Sequence, residues 1–204
     1  MRLAKAHSSW VLAFADETWW SRLARPSLHV WAKEGEPLQL VEQSVAKDDP
    51  DPQALSCYGL LVRWQDTSLQ DREAIWLRFV DGRPVSELTL AFLEYSCAKV
   101  EALGKRVLAL IWDNAGWHVS KRVRGWVREH NRAVKQSGMG VRILVCPLPV
   151  KSPWLNAIEP HWMHGKRQVV EPNRLLSSQE TETRACAYYG CQLQPHLTVA
   201  KEAA

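Results

Sequence analysis

Apolar positions along this chain fall first into short strand-like runs and then into alternating strands and helices. An apolar run over residues 10–15 stops at Asp16 and predicts a buried strand. Two further strand-like pieces, 28–31 and 38–45, are separated by Gly35. Residues 47–52 carry the Pro and Asp of a turn. Segments 54–64 and 74–80 are rich in Leu, Val and aromatics and predict a hairpin pair across polar residues 65–72.

The period then changes. Residues 85–103 lack strand breakers and predict a helix, with Ser86 as its N-cap and Gly104 as its stop. Residues 106–112 form a continuous apolar run, as in a central strand covered on both faces, and it ends at Asp113. Val119, Val123, Trp126, Val127, His130 and Val134 make one stripe at helical spacing, so 119–134 predicts a helix ended by Gly138 and Gly140. A strand over 141–146, a loop over 147–153 and a helix from Asn156 or Glu159 to Val170 follow. Beyond Glu171 the pattern predicts a short helix and an irregular end. The order β, β, β, α, β, α, β, α indicates a mixed sheet carrying helices: the α/β class, in an arrangement that suits a ribonuclease-H-like fold. Residues 1–175 are expected to form that domain and 176–204 a C-terminal extension.

Composition narrows the class. With 204 residues, 46% of them hydrophobic and 11 Trp, the chain has ample material for one packed core, and disorder as the main state is excluded. No apolar run approaches the about 20 residues of a membrane span, and residues 1–10 lead into no signal-like apolar segment. A cytoplasmic location is the expectation. The five cysteines are scattered and predict reduced, partly buried thiols; Cys186 and Cys191 with His196 make only a weak zinc pattern without a fourth ligand. Net charge is +4, but residues 1–100 hold 11 basic and 14 acidic side chains, whereas 101–204 hold 15 and 8. The basic second half suits an anionic partner such as nucleic acid, or a solvated basic face.

Three acids stand out by position: Asp16 and Asp113 after apolar strands, and Glu159 at the start of a late helix. If the first and fourth strands are neighbours, both aspartates reach one point, and a crossing helix adds Glu159. Converging carboxylates repel one another unless a cation lies between them, and hard oxygen donors select Mg²⁺ or Mn²⁺. Two such ions suit phosphoryl transfer. Singly, each acid also fits a bland role: Asp16-Glu17 a solvated strand end, Asp113-Asn114 a turn, Glu159 a capping-box partner of Asn156.

The motifs around these acids resemble a known family. Ile111-Trp-Asp-Asn-Ala-Gly-Trp-His118 resembles the second-aspartate motif of DDE transposases, and Lys151-Ser-Pro-Trp-Leu-Asn-Ala-Ile-Glu-Pro-His-Trp162 the matching glutamate motif. Phe14-Ala-Asp-Glu17, followed by His29-Val-Trp31, resembles the first-aspartate motif. The resemblance is to the bacterial insertion-sequence branch of the Tc/mariner superfamily and covers about residues 10–174. It implies that Asp16, Asp113 and Glu159 are the catalytic, metal-binding triad, holding two Mg²⁺ with Mn²⁺ able to substitute. It implies cleavage and strand transfer on double-stranded DNA, at transposon ends and target, near the bacterial nucleoid, with a homodimer joining two ends and no small-molecule cofactor. The rivals are a nuclease or resolvase of the same fold that cuts without joining, and an inactive, repurposed DNA-binding relic. The spacing of 96 residues between the aspartates is followed by 45 before Glu159, longer than is usual in the superfamily. Full-length relatives carry helix-turn-helix modules ahead of the catalytic domain, so a catalytic-domain-only or truncated chain is expected.

Supporting residues follow. Lys121, Arg122, Arg124, Arg128 and Arg132 lie on the polar side of the 119–134 helix, and Lys151, Lys166 and Arg167 flank Glu159. Beside a phosphodiester site they would neutralise backbone phosphates. Glu17 and Asn114 adjoin the two aspartates. His118 could approach the scissile phosphate or serve as a satisfied structural histidine. Asn156 is expected as the N-cap of the helix bearing Glu159, and Trp117, Trp154 and Trp162 as core residues rather than base-stacking platforms.

Overall fold

The computed structural model describes residues 7–24, 44–171 and 174–199. The expected strand pieces at 28–31 and 38–43 lie outside them, as does His29-Val-Trp31 of the first motif; residues 44 and 45 are not in a strand. Five strands form one sheet: β1 (Trp10–Ser21), β2 (Ala54–Gln65), β3 (Asp71–Phe79), β4 (Val107–Trp112) and β5 (Arg142–Pro147), in the order β3-β2-β1-β4-β5. β1 to β3 are an antiparallel meander, and β4 and β5 add in parallel on the other side of β1. This is the ribonuclease-H-like arrangement of a mixed sheet. The helices are α1 (Ser86–Ala102), α2 (Lys121–Ser137), α3 (Glu159–Val169) and α4 (Ser178–Tyr189).

Strand side chains alternate between faces, and the core divides accordingly. Val11, Ala13 and Ala15 of β1 join Leu108 and Leu110 of β4 with Leu88, Phe92, Val123 and Val127 from α1 and α2. Leu12 and Phe14 join Ala109 and, from α3 and α4, Trp162, Val169, Ala185 and Cys186 on the opposite face. Each fully buried Leu or Phe in these layers contributes roughly 1.5–3 kcal/mol relative to exposure. By this alternation, Asp16 and Asp113 both belong to the face covered by α3 and α4.

Element ends differ from expectation in instructive ways. β1 does not stop at Asp16; it runs on to Ser21 because Thr18 and Trp20 are buried and the β2 ladder continues to Ser21↔Ala54. Ser86 is not the cap of α1: Val85 holds the extended cap position without a side-chain bond, and Ser86 Oγ donates instead to Ser120 Oγ at 3.0 Å. Ser120 caps α2 by accepting from the Val123 N–H, so that helix starts two residues later than its apolar stripe. It ends where Gly138 turns left-handed at φ 69°, a conformation that suits a residue without Cβ. α4 opens with a full capping box of Ser177 and Glu180. No helix among the described residues is long and apolar enough to cross a membrane.

Candidate active site

The sheet brings Asp16 and Asp113 side by side. The parallel ladder between β1 and β4 ends at Phe14↔Ile111. Two residues further along each strand stand Asp16 and Asp113, so the same register carries both acids past the end of β4. In open α/β sheets, ligands bind outside such carboxyl ends. Glu159 approaches from above as the first residue of α3, where Pro160 is tolerated because the first turn needs no N–H partner. Asn156 is not the cap of α3; Ile158 occupies that position without a side-chain bond. Buried Asn156 instead donates from Nδ2 to the Ala15 carbonyl at 2.9 Å, tying the α3 approach to the residue before Asp16.

The electrostatics couple the acids. Burial pushes the Asp16 pKa up to about 7; a hydrogen bond from Trp162 opposes the shift, and the charges of Glu159 and Glu17 add to it. Burial also raises Glu159, with Lys166 opposing and Asp113 adding. Asp113 is held below the ordinary carboxylate range, first by its bond from His118 and, against burial, by the Ala115 N–H. His118 is 2% exposed, and burial disfavours its charge. Hydrogen bonds to Asp113 (Nδ1, 2.8 Å) and Glu17 (Nε2, 2.7 Å) outweigh burial and push its pKa up to about 9. The imidazolium then donates from both nitrogens. Its ring stacks on Trp112 at 4.4 Å and 7°, and Trp117 Nε1 donates to the same Glu17 oxygen at 3.1 Å. Thus His118 is buried and satisfied, and it braces Asp113.

Among the described residues, no three His, Cys, Asp or Glu side chains cluster tightly enough to hold a metal ion. The donor chemistry of the three acids nevertheless fits a hard divalent cation. They are oxygen donors only, and two of them are raised in part by a carboxylate neighbour, a repulsion that a cation between them reverses. The weak zinc pattern near the C-terminus does not assemble: His196 pairs with Asp81 and Glu182, and Cys186 and Cys191 hydrogen-bond to each other without forming a disulfide.

The basic residues distribute unevenly. Between α2 and the ends of β4 and β5 lies a groove of about 780 Å³, floored by Trp112, Val123 and Val127 and rimmed by Lys121, Arg124 and Arg128. It opens beside Asn114 and His118, and His118 bonds Asp113. Arg122 turns away to pair with Glu87 at 2.5 Å. Asn114 donates to the Leu148 carbonyl at 2.6 Å and so braces the loop after β5. Lys166 and Arg167 are exposed on α3, and exposed Lys151 sits in the preceding loop with φ 58°. Trp162 is buried, but Trp154 is 74% exposed and Trp117 only half-buried, so the expected core role fails for Trp154. Sequence reasoning missed the bond from Trp162 Nε1 to Asp16 Oδ2 at 2.8 Å. The available signal was the placement of Trp162 one helical turn after Glu159.

Solved structures share this fold. A Mos1 mariner paired-end complex with Mn aligns with TM-score 0.57 at 12% identity, covering 90% of this chain and 48% of that one. A pre-cleavage Mos1 transpososome gives 0.53 at 11%, over 91% and 49%. The Mos1 transposase paired-end complex with the left transposon end gives 0.52 at 13%, over 91% and 48%. The chain therefore spans about half the length of those transposase chains. No curated protein matches it significantly. A family model described as DDE superfamily endonuclease matches residues 11–182, from β1 into α4, and the chain belongs to that family.

Proposed function

We propose that this chain is the catalytic domain of a DNA transposase, of the bacterial insertion-sequence branch of the Tc/mariner superfamily. In this reading it cleaves a phosphodiester at a transposon end and joins the freed 3′-hydroxyl to target DNA. The observation that carries the reading is the shared register of Asp16 and Asp113 on neighbouring parallel strands, with Glu159 near enough to perturb Asp16. Asp16, Asp113 and Glu159 would hold two Mg²⁺ or Mn²⁺, which when bound neutralise charge developing on phosphoryl oxygens. His118, braced by Glu17, keeps the Asp113 carboxylate in one orientation. Asn156 fixes the strand at Asp16. Lys121 and Arg124 in the groove, and Lys151, Lys166 and Arg167 around α3, bind the DNA backbone; Arg122 contributes once released from Glu87. The chemistry is two in-line displacements at phosphorus, by water and then by the 3′-hydroxyl, with no covalent protein intermediate. Joining two ends calls for a second copy of the chain.

The test is nicking of supercoiled plasmid with Mg²⁺ or Mn²⁺, beside Asp16→Ala, Glu159→Ala and Asp113→Asn, followed by strand transfer from a pre-cut end. Metal-dependent nicking lost in all three variants, with DNA affinity retained, is the expected result. Nicking without joining would leave a nuclease. DNA binding with no nicking in the native chain would leave a repurposed binding protein.

A further inference from the structure

We infer that Trp162 is a positioning residue for Asp16: its indole N–H, seated over the gap left by Gly59, sets the orientation of the Asp16 carboxylate toward a divalent cation. This rests on the proposed active site and deepens it. Asp16 and Gly59 are cross-strand partners in the β1–β2 ladder. A Cβ at Gly59 would stand 2.1 Å from Cη2 and 2.6 Å from Cζ2 of Trp162. The indole therefore occupies the space that any other residue at 59 would fill, lying directly on the sheet beside Asp16. From there Nε1 donates to Asp16 Oδ2 at 2.8 Å.

The ring has little freedom to do otherwise. It is 3% exposed, and Trp20 and Tyr189 meet it edge-on at 6.1 and 6.0 Å, with interplanar angles of 90° and 89°. Tyr189 is itself fixed by its hydroxyl, which donates to the His161 carbonyl at 2.7 Å. An indole N–H only donates, so its bond selects an unprotonated oxygen of Asp16. Glu159 lies three residues before Trp162 on α3, on the same side of the helix. One helical turn thus carries one candidate ligand and the donor that orients another, and docking of α3 sets both together. A packing role alone needs the ring but not the N–H.

The experiment is ¹H–¹⁵N spectroscopy of the indole groups of the intact chain during Mg²⁺ addition without DNA, with the Trp162 signal assigned in the native chain by its through-space contacts with the rings of Trp20 and Tyr189. The Trp162 signal should move with Mg²⁺ in the native chain. In Asp16→Ala it should be displaced from the start and no longer respond. Trp162→Phe keeps an aromatic ring but loses the N–H, and Gly59→Ala keeps the donor but displaces it. Each should weaken Mn²⁺ binding by about 10–100-fold, the usual effect of losing a partner that orients a metal ligand, while DNA affinity holds. The native-chain titration needs neither variant to fold. A Trp162 signal indifferent to Mg²⁺, while Asp16→Ala abolishes metal binding and nicking, would overturn the positioning role and leave the active site standing. Metal binding and nicking that survive Asp16→Ala would overturn the active-site reading, and this role with it.

Discussion

Glu17 and His118 are 101 positions apart in the chain and 2.7 Å apart in space, with side chains 5% and 1% exposed. Removing one partner of such a buried pair strands the other charge. His118→Ala leaves Glu17 with the Trp117 indole and no cation, and should cost about 3–5 kcal/mol in urea unfolding. Adding Glu17→Leu to that variant should recover part of the loss, because the buried carboxylate left without a partner is then gone, while Asp113, 47% exposed, keeps water and the Ala115 N–H. A His118→Ala cost below about 1 kcal/mol, typical of an exposed pair, would show that water reaches Glu17.

Metal addition should stabilise the chain more at higher pH. Asp16 titrates near 7 in the fold against 3.8 in the unfolded chain. Between those values the folded chain keeps a proton the unfolded chain has lost, so stability falls as pH rises through the window. A divalent cation needs the ionised carboxylate, so it competes with that proton. At free Mg²⁺ a hundredfold above Kd, the stabilisation is about 2.7 kcal/mol and should be much smaller at about pH 5 than at about pH 8. Thermal unfolding with Mg²⁺ or chelator measures it. The same Mg²⁺ shift at both pH values would uncouple Asp16 from the metal.

Much of this was legible in the sequence, and the failures have physical causes. Asp113 and Glu159 could be placed because an apolar run ends at one and Pro160 fixes a helix start at the other. β1 was cut short because polar Asp16 and Glu17 interrupt the strand where the candidate chemistry lies, although burial resumes at Thr18 and Trp20. Asn156 matched a cap by type and spacing, yet its amide is drawn to the Ala15 carbonyl across a tertiary contact. The Glu17–His118–Asp113 relay and the Trp162–Asp16 bond join residues 101 and 146 positions apart, in the relay's longer arm and the bond respectively, where periodicity carries no information. Trp154 looked like core because Trp usually is; here it lies on an exposed turn.

DNA binding should separate the cations of α2. Each phosphate contact adds about 0.9 to the slope of log affinity against log salt. Lys121→Ala and Arg124→Ala, on the groove rim, should each lower the slope by about that amount. Arg122→Ala should change it less, because a phosphate must compete with Glu87 for the guanidinium. Glu87→Ala should therefore tighten binding at low salt and steepen the slope. Fluorescence anisotropy across a salt series measures all four. Equal slopes for the native chain, Lys121→Ala and Arg124→Ala would remove the groove from the DNA path.

The C-terminal segment should loosen as pH rises. His196 bridges Asp81 at 2.6 Å and Glu182 at 2.9 Å, beside the point where Leu197 pairs with Val80 next to edge strand β3. Partial burial lowers its pKa, but the bonds and charges of Asp81 and Glu182 prevail and raise it above the ordinary 6.5. A raised folded pKa means the pairing stabilises fully below the unfolded value and is lost as pH climbs through the folded one. The Leu197 N–H, bonded to the Phe79 carbonyl at 2.9 Å, reports that loss. Its hydrogen-exchange protection, corrected for intrinsic rate, should fall as pH climbs from below the ordinary histidine value of about 6.5 to well above it. His196→Gln should show the lower protection at both ends of that range. Asp81 is 62% exposed, so added salt should weaken the effect at low pH. Protection that stays constant with pH in the native chain would mean that Leu197 and its backbone bonds hold the segment without the charge on His196.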